Sequence, residues 1–240
     1  MPASSDPGHA FILDGAKWFS SAAEGNMTVA LARTESPTTA PGARGLSLFL
    51  VPLRTPGFPT PLSNGVRLHR LKNKLGTKPL PTAELELNGT RGFLIGTRAR
   101  GVPTIAPVLN ITRLYSAVGS AGQLRRGLAV ATAFARVRAI DGGRTLLMDT
   151  PLHVALLAKA ALVYRALVQL NFHLVLLLGR TECGTATPGE MARLRFLTPV
   201  AKSFNADRAA EQLSACMVAL GGQGYMEETG IARYVKVCCL

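Results

Sequence analysis

From Phe11 to about Ile95 the apolar positions come in short runs separated by Gly and Pro, which is how β-strands are written. Thr28 to Ala32, Leu46 to Pro52 and Ala83 to Leu87 are such runs. Glu84 to Asn88 alternates polar and apolar residues, so that successive side chains fall on opposite faces of a sheet. Asn88-Gly89 then signals a tight turn, and the whole stretch predicts antiparallel pairing. Thr34 to Arg44, rich in Thr, Pro and Ala, has the composition of an exposed loop between two strands.

After about Thr97 the period lengthens, with Ile111, Leu114, Tyr115 and Val118 at helical spacing. Helices are predicted near 103–138, 151–179 and 188–220, broken at Gly142-Gly143 and between Gly184 and Gly189. Pro103 and Pro107 are expected within an initial turn, where a missing N–H costs nothing. No repeat at solenoid period is present. The predicted class is α+β: an antiparallel, β-barrel-like domain over residues 1–97, followed by an α-helical bundle over residues 98–240. Ligands often lie where such layers meet.

Composition and the chain's end segments add to this picture. With 27 Lys plus Arg against 14 Asp plus Glu the chain carries +13, enough to attract phosphate-bearing partners such as nucleotides, coenzyme A or nucleic acid. Charge alone does not choose among them, and a basic surface serving only solubility is an equal reading. Cys183, Cys216, Cys238 and Cys239 show no CxxC spacing, which indicates neither zinc nor a disulfide framework and suits a reducing, intracellular compartment. The opening MPASSDPGHA lacks an apolar core and an Arg-rich amphipathic pattern, so a cytoplasmic location is expected. The closing VCCL is not a prenylation box, because Val237 stands where the modified cysteine would be. Pro151 to Gly179 is long and apolar enough to raise a membrane span, but His153, Lys159, Arg165, Gln169, Asn171 and His173 interrupt it. A bundle helix explains that pattern better.

Walker, GxSxG and HExxH motifs are absent. Gly222-Gln223-Gly224 lacks a third glycine and follows a helix, so it is no dinucleotide fingerprint. Four segments stand out instead: GAKWFSS at Gly15 to Ser21, LKNKLGTKPLPTAELELNGTRGFLIG at Leu71 to Gly96, ITRLYSAVGSAG at Ile111 to Gly122, and LGGQGYMEETG at Leu220 to Gly230. In this order they resemble the middle β domain and C-terminal helical domain of acyl-CoA dehydrogenases, most closely the AidB-like, alkylation-response branch. The likeness covers nearly the whole chain, and implies a partial member, truncated at both ends, in which the family's N-terminal helical domain and the first strands of its β domain would precede Gly15.

The resemblance implies non-covalent FAD lying between the two domains and an acyl-CoA substrate. Trp18, Phe19 and Ser20 match the stretch that lies against the flavin ring, with the Ser20 hydroxyl toward its reactive edge. An aromatic wall and a hydroxyl suit a flat, redox-active ring. Read without the resemblance, Trp18 is more simply a core residue of a β domain. Arg138, in Arg138-Ala139-Ile140-Asp141-Gly142, matches an arginine that reaches the FAD pyrophosphate of a neighbouring subunit, so a homo-oligomer is implied. Asp141 departs from the family's phenylalanine, Arg136 competes for the role, and a solvated arginine at a helix end is an equal reading. Gly221 and Gly222 match a glycine turn approached by a neighbour's FAD; without that context they read as a helix C-cap.

Arg113 matches an arginine near the active site that serves substrate binding. Thr112 occupies one of two family positions for the catalytic glutamate, and the other would fall beyond Leu240. The chain is therefore expected to lack the proton-abstracting carboxylate, since Glu227 and Glu228 sit in a variable stretch. A non-enzymatic AidB-like flavoprotein that binds DNA through its basic helical half is the alternative.

Overall fold

The computed structural model describes residues 10–34, 39–55 and 59–238. The opening segment read for targeting signals, part of the Thr34 to Arg44 loop and the last two residues of the VCCL end lie outside them. Five strands come first: β1 (Ala10–Ser21), β2 (Met27–Arg33), β3 (Leu46–Pro52), β4 (Val66–Leu71) and β5 (Thr82–Ile95). After α1 (Gly101–Val137) comes a small hairpin of β6 (Ala139–Ile140) and β7 (Thr145–Leu146). Then follow α2 (Pro151–Glu182), α3 (Pro188–Ala219), α4 (Gly222–Tyr225) and α5 (Ile231–Cys238). Contacts divide the chain into two units, Met1–Val108 and Leu109–Leu240, the division falling within α1.

β5 organises the first unit. It pairs with β1 along one edge, while its other edge is shared by β4, at Ala83 to Leu87, and β3, at Phe93 to Ile95. β3 then pairs with β2, and every pairing is antiparallel. The sheet is a curled half-barrel, as the α+β reading expects. Its core gathers Phe11, Leu13, Phe49, Val51, Leu53, Val66, Leu85 and Leu87, with Phe11 and Phe49 edge to face at 5.1 Å. The alternation of Glu84 to Leu87 is realised, for Leu85 and Leu87 are buried and Glu86 is exposed.

The tight turn predicted at Asn88-Gly89 is not one. β5 runs straight through it, because Leu13 faces Thr90 while Gly15 faces Leu87, leaving Asp14 opposite two residues in a bulge. Gly89 takes φ 63°, which glycine adopts without steric cost. Its freed N–H donates to the Asp14 carboxylate at 2.7 Å, and the Asn88 N–H to the Gly65 carbonyl at 2.9 Å. Both donors are satisfied, so the strand continues where local sequence suggests reversal.

The three long helices fall close to their predicted spans. Pro107 is the exception: it lies inside α1 and not in its opening turn. The helix persists across the lost hydrogen bond. In the second unit three apolar layers stack along the bundle. Leu114, Leu174 and Leu194 share one; Leu124, Leu167 and Leu213 the next; Leu128, Leu157 and Cys216 the third. As the layers pass, the α1 and α3 numbers rise while those of α2 fall, so the helices run up, down, up. α3 starts in a capping box, the Thr187 hydroxyl accepting from the Glu190 N–H and the Glu190 carboxylate from the Thr187 N–H. Among the described residues α2 is the one helix long and apolar enough to cross a bilayer. It packs as a bundle helix along Leu157, Leu167, Leu174 and Leu177.

Candidate functional site

Trp18 and Phe19 leave the sheet together for a reason that lies in its register. Lys17 faces Leu85 and Ser20 faces Ala83, so the two aromatics oppose Glu84 alone. Such a bulge breaks the alternation that would send one ring into the core. Trp18 is 64% and Phe19 66% exposed, their rings edge to face at 6.5 Å, and Ser20 beside them is half-buried. The reading of Trp18 as a core residue is overturned.

Glu84, the residue facing the bulge, is the hub of a charge cluster. β4 bulges at the same level, for Leu68 faces Leu85 while Arg70 faces Glu84, with His69 extra. Arg70 Nε donates to Glu84 Oε1 at 2.7 Å, and Lys72 Nζ donates to the same oxygen. Lys72 Nζ also stands 3.1 Å from the centroid of the Trp18 ring and 5.1 Å from that of Phe19. Hydrogen bonds from Lys72 first and Arg70 second hold the Glu84 carboxyl below the usual carboxylate range. Because the folded state favours the ionised form, the cluster stabilises at neutral pH. That stabilisation is lost as pH falls through the lowered folded pKa. Glu84→Gln is therefore expected to lower the melting temperature at neutral pH and to converge with wild type in acid. A difference constant across pH would contradict the assignment.

Lys17, one residue before the bulge, donates to the Leu31 carbonyl at 2.6 Å, and burial lowers its pKa. The sequence reading missed the Lys72, Glu84 and Arg70 cluster. A signal was present, since Arg70 and Lys72 stand two residues apart at the end of one strand run and Glu84 sits on the polar phase of another.

In the second unit Thr112 is exposed on α1, its hydroxyl donating to the Leu109 carbonyl at 2.9 Å. Half-buried Arg113 donates from Nη1 to Asn110 Oδ1 at 3.3 Å. Arg138 is exposed between α1 and the β6–β7 hairpin, and its carbonyl accepts from the Leu147 N–H at 2.9 Å. Gly143 to Leu147 builds most of that hairpin's return.

Leu220 closes α3, and Gly221 turns the chain at φ 59° and ψ −139°, a conformation in effect reserved for glycine. α4 then folds back so tightly that a Cβ on Gly224 would lie 1.9 Å from the Met217 carbonyl oxygen. A Cβ on Gly222 would meet nothing within 4 Å, so bare backbone is presented there without structural need. Glu228 accepts from Gln223 Nε2 at 2.5 Å, and Glu227 lies 3.9 Å from Lys236 Nζ. Cys216 is buried in the bundle, which pushes its thiol up to about 11, whereas Cys183 is exposed.

Two family models match the chain: acyl-CoA dehydrogenase, middle domain, over residues 1–90, and acyl-CoA dehydrogenase, C-terminal domain, over residues 99–238. The acyl-CoA dehydrogenase family member 11 of Caenorhabditis elegans is 42% identical over 93% of this chain and 36% of its own length. The putative acyl-CoA dehydrogenase AidB of Escherichia coli K12 is 32% identical over 93% of this chain and 38% of its own. The crystal structure of Caenorhabditis elegans ACDH-11 in complex with C11-CoA superimposes with a TM-score of 0.88 at 40% identity. It covers 95% of this chain and 38% of that one. The chain thus spans little more than a third of these relatives.

Proposed function

This chain belongs to the acyl-CoA dehydrogenase family of oxidoreductases, and from that premise we propose that it serves an FAD-dependent oxidation of the CH–CH bond of an acyl-CoA thioester. The observation that carries the reading is the bulge at Trp18 and Phe19, two large aromatic rings held outward beside a hydroxyl. Burial of such rings against a flat partner is favourable, and their exposure leaves room for one. FAD, when bound, supplies hydride acceptance from the acyl β-carbon as the α-proton departs. Trp18 and Phe19 would form the wall for the ring and exclude water from it, and Ser20 would offer its hydroxyl at the ring edge. Gly222 would let a neighbouring subunit's FAD approach bare backbone, and Arg138 would grip its pyrophosphate, which makes the full-length form a homo-oligomer. Arg113 would meet the acyl-CoA.

The reading assigns the proton-abstracting carboxylate to no residue of this chain. Thr112 carries a hydroxyl far too weakly basic for a thioester α-proton. Glu227 and Glu228 are surface residues held by Lys236 and Gln223. The DNA-binding alternative gains no support from the comparisons, and several helical-unit cations are engaged by carboxylates: Arg180 by Glu190, Arg208 by Glu211, Lys159 by Glu211.

Trp18→Ala tests the wall. It is expected to weaken FAD binding roughly tenfold, from loss of stacking and of apolar contact, measured by equilibrium titration of flavin fluorescence. The fold should be retained by circular dichroism, because the ring lies outside the core. Unchanged affinity would remove Trp18 from the site.

A further inference from the structure

We propose that Lys72, locked by Glu84 and backed by Arg70, is a positioning residue that fixes the indole of Trp18 and leaves its opposite face open to a ligand ring. The proposal rests on the preceding reading only for the identity of that ligand.

Four observations converge on it. Lys72 Nζ lies 3.1 Å from the indole centroid, close to the best approach for a cation on an aromatic face. The side chains of Lys72 and Glu84 are each only 12% exposed, so water competes weakly for the ammonium group. The Lys72 backbone is pinned as well, its N–H donating to the Thr82 carbonyl at 2.7 Å on β5, two residues before Glu84. Arg70 donates to the same Glu84 oxygen at 2.7 Å, which restrains the carboxylate that restrains the lysine. On a surface strand an indole would ordinarily sample several rotamers on the picosecond to nanosecond scale. Here one face of the ring is capped by a charge that is itself tied to two strands. Trp18 remains 64% exposed with Lys72 in place, which leaves ring surface available to a ligand.

The arrangement separates two roles that a lysine beside an aromatic wall can play. A lysine that orders the indole favours ligand binding, because less freedom is lost when the ring docks. A lysine that occupies the ligand's own face competes with it. Removing Lys72 moves affinity in opposite directions in the two cases.

Trp18 is the single tryptophan of these 240 residues, so in protein of this length its emission reports this ring alone. In flavin-free protein, Lys72→Met is expected to add a fast nanosecond component to the time-resolved anisotropy of Trp18. It should also raise the acrylamide quenching constant roughly threefold, as a contact of cation–π strength is lost. Lys72→Arg should restore both, since guanidinium caps an aromatic face as well as ammonium does. Glu84→Gln should reproduce the Met variant in part. Circular dichroism of each variant must match wild type, which separates loss of pose from loss of fold. FAD titration should then show Lys72→Met binding about fivefold more weakly. Unchanged anisotropy and quenching in a folded Lys72→Met protein would overturn the proposal, and so would tighter FAD binding. If anisotropy responds as expected while Trp18→Ala leaves FAD affinity unchanged, the positioning contact stands and the flavin-wall reading falls.

Discussion

Gly224→Ala is expected to lower the melting temperature of the helical unit by about 10 °C, corresponding to about 3 kcal/mol at the scale typical of a unit of this size. The reason is distance. An added Cβ would lie 1.9 Å from the Met217 carbonyl oxygen, 2.7 Å from its carbon and 3.0 Å from its Cα, all backbone atoms at the end of α3. No rotamer change relieves a backbone clash, so α4 must lift away from α3. Leu220 and Ile231 on either side belong to one buried cluster, and lifting α4 pulls on that layer. Gly222→Ala is the control two residues away, with open space for its Cβ, and should leave the melting temperature within about 1 °C. Differential scanning calorimetry of the two variants decides it, and equal losses would show that the turn is merely intolerant of side chains.

The second large effect is expected at Asn205→Ala, about 2 kcal/mol. Asn205 is fully buried where the three long helices meet. Its Nδ2 donates to Asn171 Oδ1 at 2.6 Å on α2 and to the Ala117 carbonyl at 3.2 Å on α1, while Asn171 Nδ2 reaches that same carbonyl at 3.2 Å. Truncation strands the Asn171 oxygen in an apolar layer, and a buried acceptor without a partner costs about 1–3 kcal/mol beyond the bonds themselves. One term opposes this: Asn205 Oδ1 is itself buried without a hydrogen-bond partner, and its removal relieves that cost. The net loss therefore stays near the middle of the range. The pair is predicted to be non-additive, with Asn171→Leu combined with Asn205→Leu costing less than the sum of the singles. Denaturant titration of all three variants measures the coupling, and strict additivity would mean that the amides act independently.

The helical half was legible because a period sustained over thirty-odd residues leaves little freedom. Pro151 and the Thr187 to Glu190 capping box mark the starts of α2 and α3 in the sequence itself. Pro107 misled because tertiary packing along the remainder of α1 carries a helix across one missing bond. The strands were legible as runs, but their pairing was not. Asn88-Gly89 gives the same local signal in a hairpin and in a bulge. The choice falls to Asp14 and Gly65, distant residues that take up the freed N–H groups. The same limit hid the site. That Trp18 and Phe19 both face outward depends on their opposing one residue of β5, and that Glu84 meets Lys72 depends on a second bulge in β4. Asn171, which in the sequence only interrupts an apolar run, turns out to be half of a buried amide pair.

The central claim is that this chain supplies the flavin-facing wall of an acyl-CoA oxidoreductase. It is tested most directly by loading the full-length protein with FAD and titrating it anaerobically with acyl-CoA thioesters of graded chain length while following the visible absorbance of the oxidised flavin. Stoichiometric FAD and bleaching by at least one acyl length are predicted, with bleaching weakened in Trp18→Ala. Absorbance unchanged across every acyl length, in protein that holds its FAD, would contradict the account.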